Sequence, residues 1–144
     1  MKKCNIILGM MVVTLVFGLA LTGCDSDGST KGAPNLIEIN TALVTGVSSY
    51  IRASSFTSSQ RIGLIIKFST PYKDMGSLRV VIKQDKHIID NREVKWSVPR
   101  SDSVYERTWG TVTLPYGTYT AEVYLVDVEG NKSRTLSTTI RVTG

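Results

Sequence analysis

Cysteine carries the most direct chemistry in this chain, and Cys24 is the one whose thiol stands where it can be used. It follows Leu21-Thr22-Gly23, with two small residues immediately before it. A thiolate is a strong nucleophile and can accept a carbon group, and small flanking side chains leave room for an enzyme to close on the backbone. The other cysteine, Cys4, lies near the N-terminus. No cysteine follows Cys24, so residues 25–144 can form neither a disulfide nor a thiolate metal site. The single histidine, His87, has no second histidine or thiol to complete a metal set or a thiol–histidine pair, and it reads as an exposed residue beside a hairpin turn. Asp74, Asp85, Asp90, Asp102 and Asp127 all fall in stretches that read as turns, where aspartate caps backbone amides. Asp127, Glu129 and Asn131 offer oxygen ligands at alternate positions. That spacing suits calcium but lacks the full loop signature, and it equally suits a turn. There is no glycine-rich phosphate cradle and no G-x-S-x-G elbow. The expectation is a non-enzymatic chain without metal or cofactor.

Met1-Lys2-Lys3 gives a short positive segment, residues 5–21 form an apolar run, and Thr22 and Gly23 are small, which is the pattern of a secretory signal. Leu21-Thr22-Gly23-Cys24 resembles the lipobox of bacterial lipoproteins. That resemblance implies a thioether to diacylglycerol on Cys24, cleavage between Gly23 and Cys24, and loss of Cys4 with the signal peptide, residues 1–23. A membrane partner, through acyl chains on Cys24, follows from it. An uncleaved signal anchor is the competing reading, since the run approaches the roughly 20 apolar residues of a spanning helix. Such an anchor would not require a cysteine after Gly23. Asp25 resembles the residue that retains enteric lipoproteins in the inner membrane. The expected location is the bacterial cell envelope, lipid-anchored, in the periplasm or on the outer side of the cytoplasmic membrane. Export argues against a nucleic-acid partner. The chain has 17 basic and 12 acidic residues, and losing Lys2 and Lys3 with the signal lowers the net charge from +5 to +3. A charge of that size is ordinary for an exported surface.

The elements that must position any site begin after a tether. Residues 24–34 comprise the cysteine and a polar, Gly- and Pro-punctuated linker whose ten residues after Cys24 reach roughly 35 Å when extended. Residues 35–144 form one domain, large enough to bury a core without staples. Its period is two. Ile62, Leu64, Ile66 and Phe68 alternate with other residues, as do Leu78, Val80 and Ile82, then Tyr119, Ala121, Val123 and Leu125, then Leu136, Thr138, Ile140 and Val142. Weaker strand candidates are 36–44, 87–89, 93–98 and 108–114. Turns are expected at Asp85-Lys86, Asp90-Asn91 and Glu129-Gly130-Asn131. The serine-rich stretch 48–60 reads either as a strand crossing between sheets or as a long loop over one end of the core.

In the last third, Leu114-Pro115-Tyr116-Gly117-Thr118-Tyr119, Val123, Leu125, Asp127, Gly130-Asn131-Lys132-Ser133, Ile140 and Val142 resemble the E–F corner and F–G hairpin of bacterial immunoglobulin-like and fibronectin type III-like domains. The resemblance implies an all-β fold, a single immunoglobulin-like β-sandwich of about seven strands, with Tyr119 as a buried corner tyrosine bonded back to the chain near Leu114. On the strand phases, Arg79, Val81 and Lys83 point outward beside Glu122 and Tyr124, giving either a candidate binding face or an ordinary solvated one. Trp96, Tyr105 and Trp109 cluster around an expected connection at 97–107. Trp96 and Trp109 either stack on sugar rings or belong to the core. The sequence therefore points to a membrane-anchored interaction or adhesion module with an envelope protein or glycan partner, the alternative being a carbohydrate-binding accessory domain.

Overall fold

The computed structural model describes residues 32–144; the signal segment, Gly23, Cys24, Asp25 and the tether as far as residue 31 lie outside the described residues. Among the described residues the chain is all-β: β1 (Asn35–Val44), β2 (Tyr50–Arg52), β3 (Ser55–Thr57), β4 (Ile62–Thr70), β5 (Met75–Gln84), β6 (His87–Val98), β7 (Ser101–Val112), β8 (Gly117–Asp127) and β9 (Leu136–Thr143). They form a sandwich of two sheets, β2-β1-β4-β7 and β3-β9-β8-β5-β6. Every pairing is antiparallel except the short parallel contact of β3 with β9.

Period-two patterning explains the layers. Ile62, Leu64, Ile66 and Phe68 of β4 face Leu78, Val80 and Ile82 of β5 and Ala121, Val123 and Leu125 of β8 across one continuous buried core. The expected strands at 62–68, 78–82, 119–125 and 136–142 are all present, and the hairpin at Asp85-Lys86 closes with Gln84 opposite His87. Asp85 takes a φ of 55°, the left-handed position that a two-residue hairpin loop demands. Gly130 supplies the same region (φ 93°) in the β8–β9 turn.

Three expectations change. Asp90-Asn91 is no turn: both residues lie within β6, which runs unbroken and absorbs its irregularity as a register shift opposite Ile82/Lys83. The supposed connection at 97–107 is mostly strand, since only Pro99 and Arg100 separate β6 from β7, and Asp102 sits in β7. The serine-rich stretch divides into β2 in the first sheet and β3 in the second, so it passes from one sheet to the other, and the described residues hold nine strands where about seven were expected.

The strand directions sort the connections into two ends. Residues 32–34, 71–74, 99–100 and 128–135 gather at one end; 45–49, 58–61, 85–86 and 113–116 gather at the other. Ala33 and Pro34 are already buried at the first end. Arg134 clasps the sheets there, donating from Nε to the carbonyl of Leu36 at 2.9 Å and from Nη2 to that of Ile37 at 3.4 Å, where β1 is irregular. Thr70, fully buried, donates to the Pro99 carbonyl at 3.0 Å and ties two of that end's connections together.

Candidate interaction face

The five residues of the expected face do come together. In the β5–β8 ladder Arg79 stands opposite Tyr124 and Val81 opposite Glu122, all on the side away from the core. Lys83 reaches across to Glu122, its Nζ lying 2.9 Å from Oε1 and 2.8 Å from Oε2. Arg79 donates to Asn91 Oδ1 at 3.1 Å and lies 3.8 Å from Glu93, both on the neighbouring β6. The Lys132 ammonium sits 4.0 Å from the centre of the Tyr124 ring. Arg79, Lys83 and Glu122 are about one-third exposed and Glu93 nearly half, so each pair holds geometry but remains available to solvent.

The face is wider than its sequence signature. Strand phase places Glu93 and Lys95 of β6 and Arg141 of β9 on the same side. Among the described residues, Arg79, Lys83, Lys95, Lys132 and Arg141 therefore oppose only Glu93 and Glu122 there. The other sheet's outer surface is different. Glu38 lies 3.8 Å from Arg52 and 3.6 Å from Lys67, and Arg52 lies 3.7 Å from Glu106, a network of two acids and two bases that neutralises itself. The Asn40 amide and the nearby Lys67 ammonium hold the Glu38 carboxyl below its ordinary range. Arg141 was findable in sequence, since it alternates with buried Ile140 and Val142; Lys132 sits in a turn, where no periodicity marks it.

The tryptophans do not provide a stacking platform. Trp109 is 3% exposed, inside the core on β7, with the Arg92 guanidinium 5.9 Å from its ring centre at the rim. Trp96 is half-buried on β6 and stacks on Phe68 at 6.2 Å, while Tyr105 meets the same ring at 5.6 Å. The period-two phase turns both indoles toward the core, so neither is presented as the fully exposed ring that the sugar-stacking reading expected of Trp96 and Trp109.

His87 is exposed beside the hairpin loop. Asp127 serves its turn: Oδ1 accepts the amides of Glu129 at 2.9 Å and Asn131 at 2.8 Å, and Oδ2 accepts the Asn131 side-chain amide at 2.8 Å. Burial pushes its carboxyl up, but the Asn131 amide and the surrounding backbone amides outweigh burial and hold it below the usual aspartate value. Its oxygens are thus committed to amides of the turn, and among the described residues no three acidic, histidine or cysteine side chains converge on a metal position. Asp74 likewise caps, accepting the Arg100 amide at 2.8 Å.

Tyr119 is buried, and its hydroxyl donates to the Pro115 carbonyl at 2.9 Å. Compared with known proteins, the chain matches no family model and no curated relative.

Proposed function

We propose that this chain is a bacterial envelope lipoprotein, held to its membrane by acyl chains on Cys24, whose β-sandwich is a non-catalytic interaction module. The contrast between the two outer faces carries the reading. One neutralises its own charge, whereas the β5–β8 face keeps an excess of cations around a cation-capped tyrosine. Such a face suits an acidic surface on an envelope partner, and charge complementarity of this kind raises the rate of encounter and fixes the orientation of docking. Tethering adds effective concentration, so a modest affinity suffices near the membrane. The lipobox-like run Leu21-Thr22-Gly23-Cys24 supports the anchor, and the Tyr119–Pro115 bond supports kinship with disulfide-free immunoglobulin-like and fibronectin type III-like domains. Asp25 adds inner-membrane retention to the same reading.

Two measurements test it. Mass spectrometry of the N-terminal peptide from membrane-extracted protein should find a chain beginning at acylated Cys24; an intact segment 1–23 would sink the anchor. Affinity purification from detergent-solubilised membranes should recover a stoichiometric partner that Arg79→Glu or Tyr124→Ala loses and Lys67→Glu, on the opposite face, keeps. Equal loss from both faces would remove the β5–β8 face from the proposal.

A further inference from the structure

The end of the sandwich from which the tether departs also carries two of the molecule's exposed apolar side chains. Tyr72, in the β4–β5 connection, is 57% exposed, and Val128, in the β8–β9 turn, is 63% exposed. The two connections are joined, because the Val128 amide donates to the Asp74 carbonyl at 3.0 Å. Tyr72 further shares an open cleft of about 490 Å³ with Gly32, Lys73, Arg100, Glu129 and Asn131, so the first described residue lies directly among these loops. Lys73 and Glu129 pair at 2.9 Å, and the Arg100 Nε donates to the Pro71 carbonyl at 3.1 Å. With Asp74, Lys132 and Arg134 alongside, the connections of this end hold Lys73, Arg100, Lys132 and Arg134 against Asp74 and Glu129, a modest cationic excess.

We infer that this end is a bilayer-docking surface, seating Tyr72 and Val128 in the lipid headgroup region so that the sandwich stands upright on its membrane. The inference rests on the Cys24 anchor proposed above. Eight residues carry the chain from Cys24 to Gly32, at most about 28 Å when extended and about 16 Å as a relaxed coil. Burial of Ala33 and Pro34 prevents the tether from lengthening at the expense of the domain. The Tyr72 and Val128 loops are thus the part of the domain held closest to the headgroups. A tyrosine suits that depth, its ring in the apolar boundary and its hydroxyl in water. The cationic excess adds attraction to anionic headgroups, while the side chains that enter the headgroup region are Tyr72 and Val128.

The test uses the lipidated protein extracted from membranes, which has lost Cys4 with residues 1–23, in vesicles of phosphatidylcholine with phosphatidylglycerol. Acylation blocks Cys24, so a single introduced cysteine is the only thiol to label. An environment-sensitive fluorophore is placed in turn on Val128→Cys, on Val81→Cys of the β5–β8 face, and on Tyr116→Cys at the opposite end. Headgroup spin-labelled lipid should quench the first severalfold more than the other two. The difference should shrink but persist on omission of phosphatidylglycerol and vanish with Tyr72→Asp, an exposed change that leaves the melting temperature in place. Strongest quenching at residue 81, dependent on phosphatidylglycerol, would mean that the domain lies on its basic face and would overturn the inference. Vesicles that float with the protein yet quench no position would overturn the docking and leave the anchor intact. Protein that fails to float and takes up a second label on Cys24 would remove anchor and docking together.

Discussion

Tyr119 shows how one side chain can both fill the core and fasten a corner, since its ring is buried while its hydroxyl holds the Pro115 carbonyl. Tyr119→Phe should cost about 0.5–1.5 kcal/mol, the net worth of one hydrogen bond, in urea unfolding. Tyr119→Ala should cost about 3–5 kcal/mol, because a cavity is added. Gly63 is constrained by proximity: a Cβ there would stand 2.7 Å from the Trp109 carbonyl oxygen and 2.9 Å from the Tyr50 ring. Gly63→Ala should therefore destabilise by about 1–3 kcal/mol, as overpacking does. Asp127 makes stability depend on pH. Its folded-state value lies below the unfolded one, so its contribution is complete above about pH 4–5 and is lost as pH falls through the lowered folded value. Asp127→Asn, which keeps an acceptor for the turn amides, should show a shallower loss of stability between neutral and strongly acid solution, as read by denaturant midpoints at several pH values.

At the scale of elements, the β5–β6 hairpin turns on Asp85, a non-glycine residue in the left-handed region. Asp85→Gly should be neutral or stabilise by up to about 1 kcal/mol, and Asp85→Val should cost about 1–2 kcal/mol in thermal unfolding. The strands flanking the core were legible in sequence because each has one buried and one wet side, as the clean alternation of β8 from Tyr119 to Leu125 demonstrates. The two long edge strands were legible only in part, as 87–89 and 93–98 of β6 and 108–112 of β7. The first half of β6 is mostly exposed on both sides, with Ile88 and Ile89 58% and 45% exposed, and β7 is largely exposed up to Arg107, so neither offers a period along its full length. Asp90 deceived for a related reason. It looks like a turn residue but lies in a strand, with its Oδ2 2.8 Å from Arg92 Nε in an ion pair too misaligned for a hydrogen bond. The central face residues were readable from strand phase on β5 and β8. The contribution of Lys132 required the folded turn, which brings it over Tyr124.

For the whole molecule, the anchor reading makes attachment and folding separable. Cys24→Ser should move the protein from the membrane to the soluble fraction while its melting temperature stays where it was, because among the described residues the core begins at Ala33. A fall in melting temperature would place part of the tether in the fold. The arrangement of the first and last strands has a mechanical side. β1 starts at the tether end and β9 finishes at the opposite one, each lying along its neighbour, β1 on β4 and β9 on β8, through an extended antiparallel ladder. A partner gripping the far end and tugging against a fixed membrane would load these ladders in shear, with many rungs sharing the force at once, instead of unzipping them one by one. The sandwich would then transmit tension as a stiff strut, and its resistance to rupture would depend on direction, high along the strands and low across them.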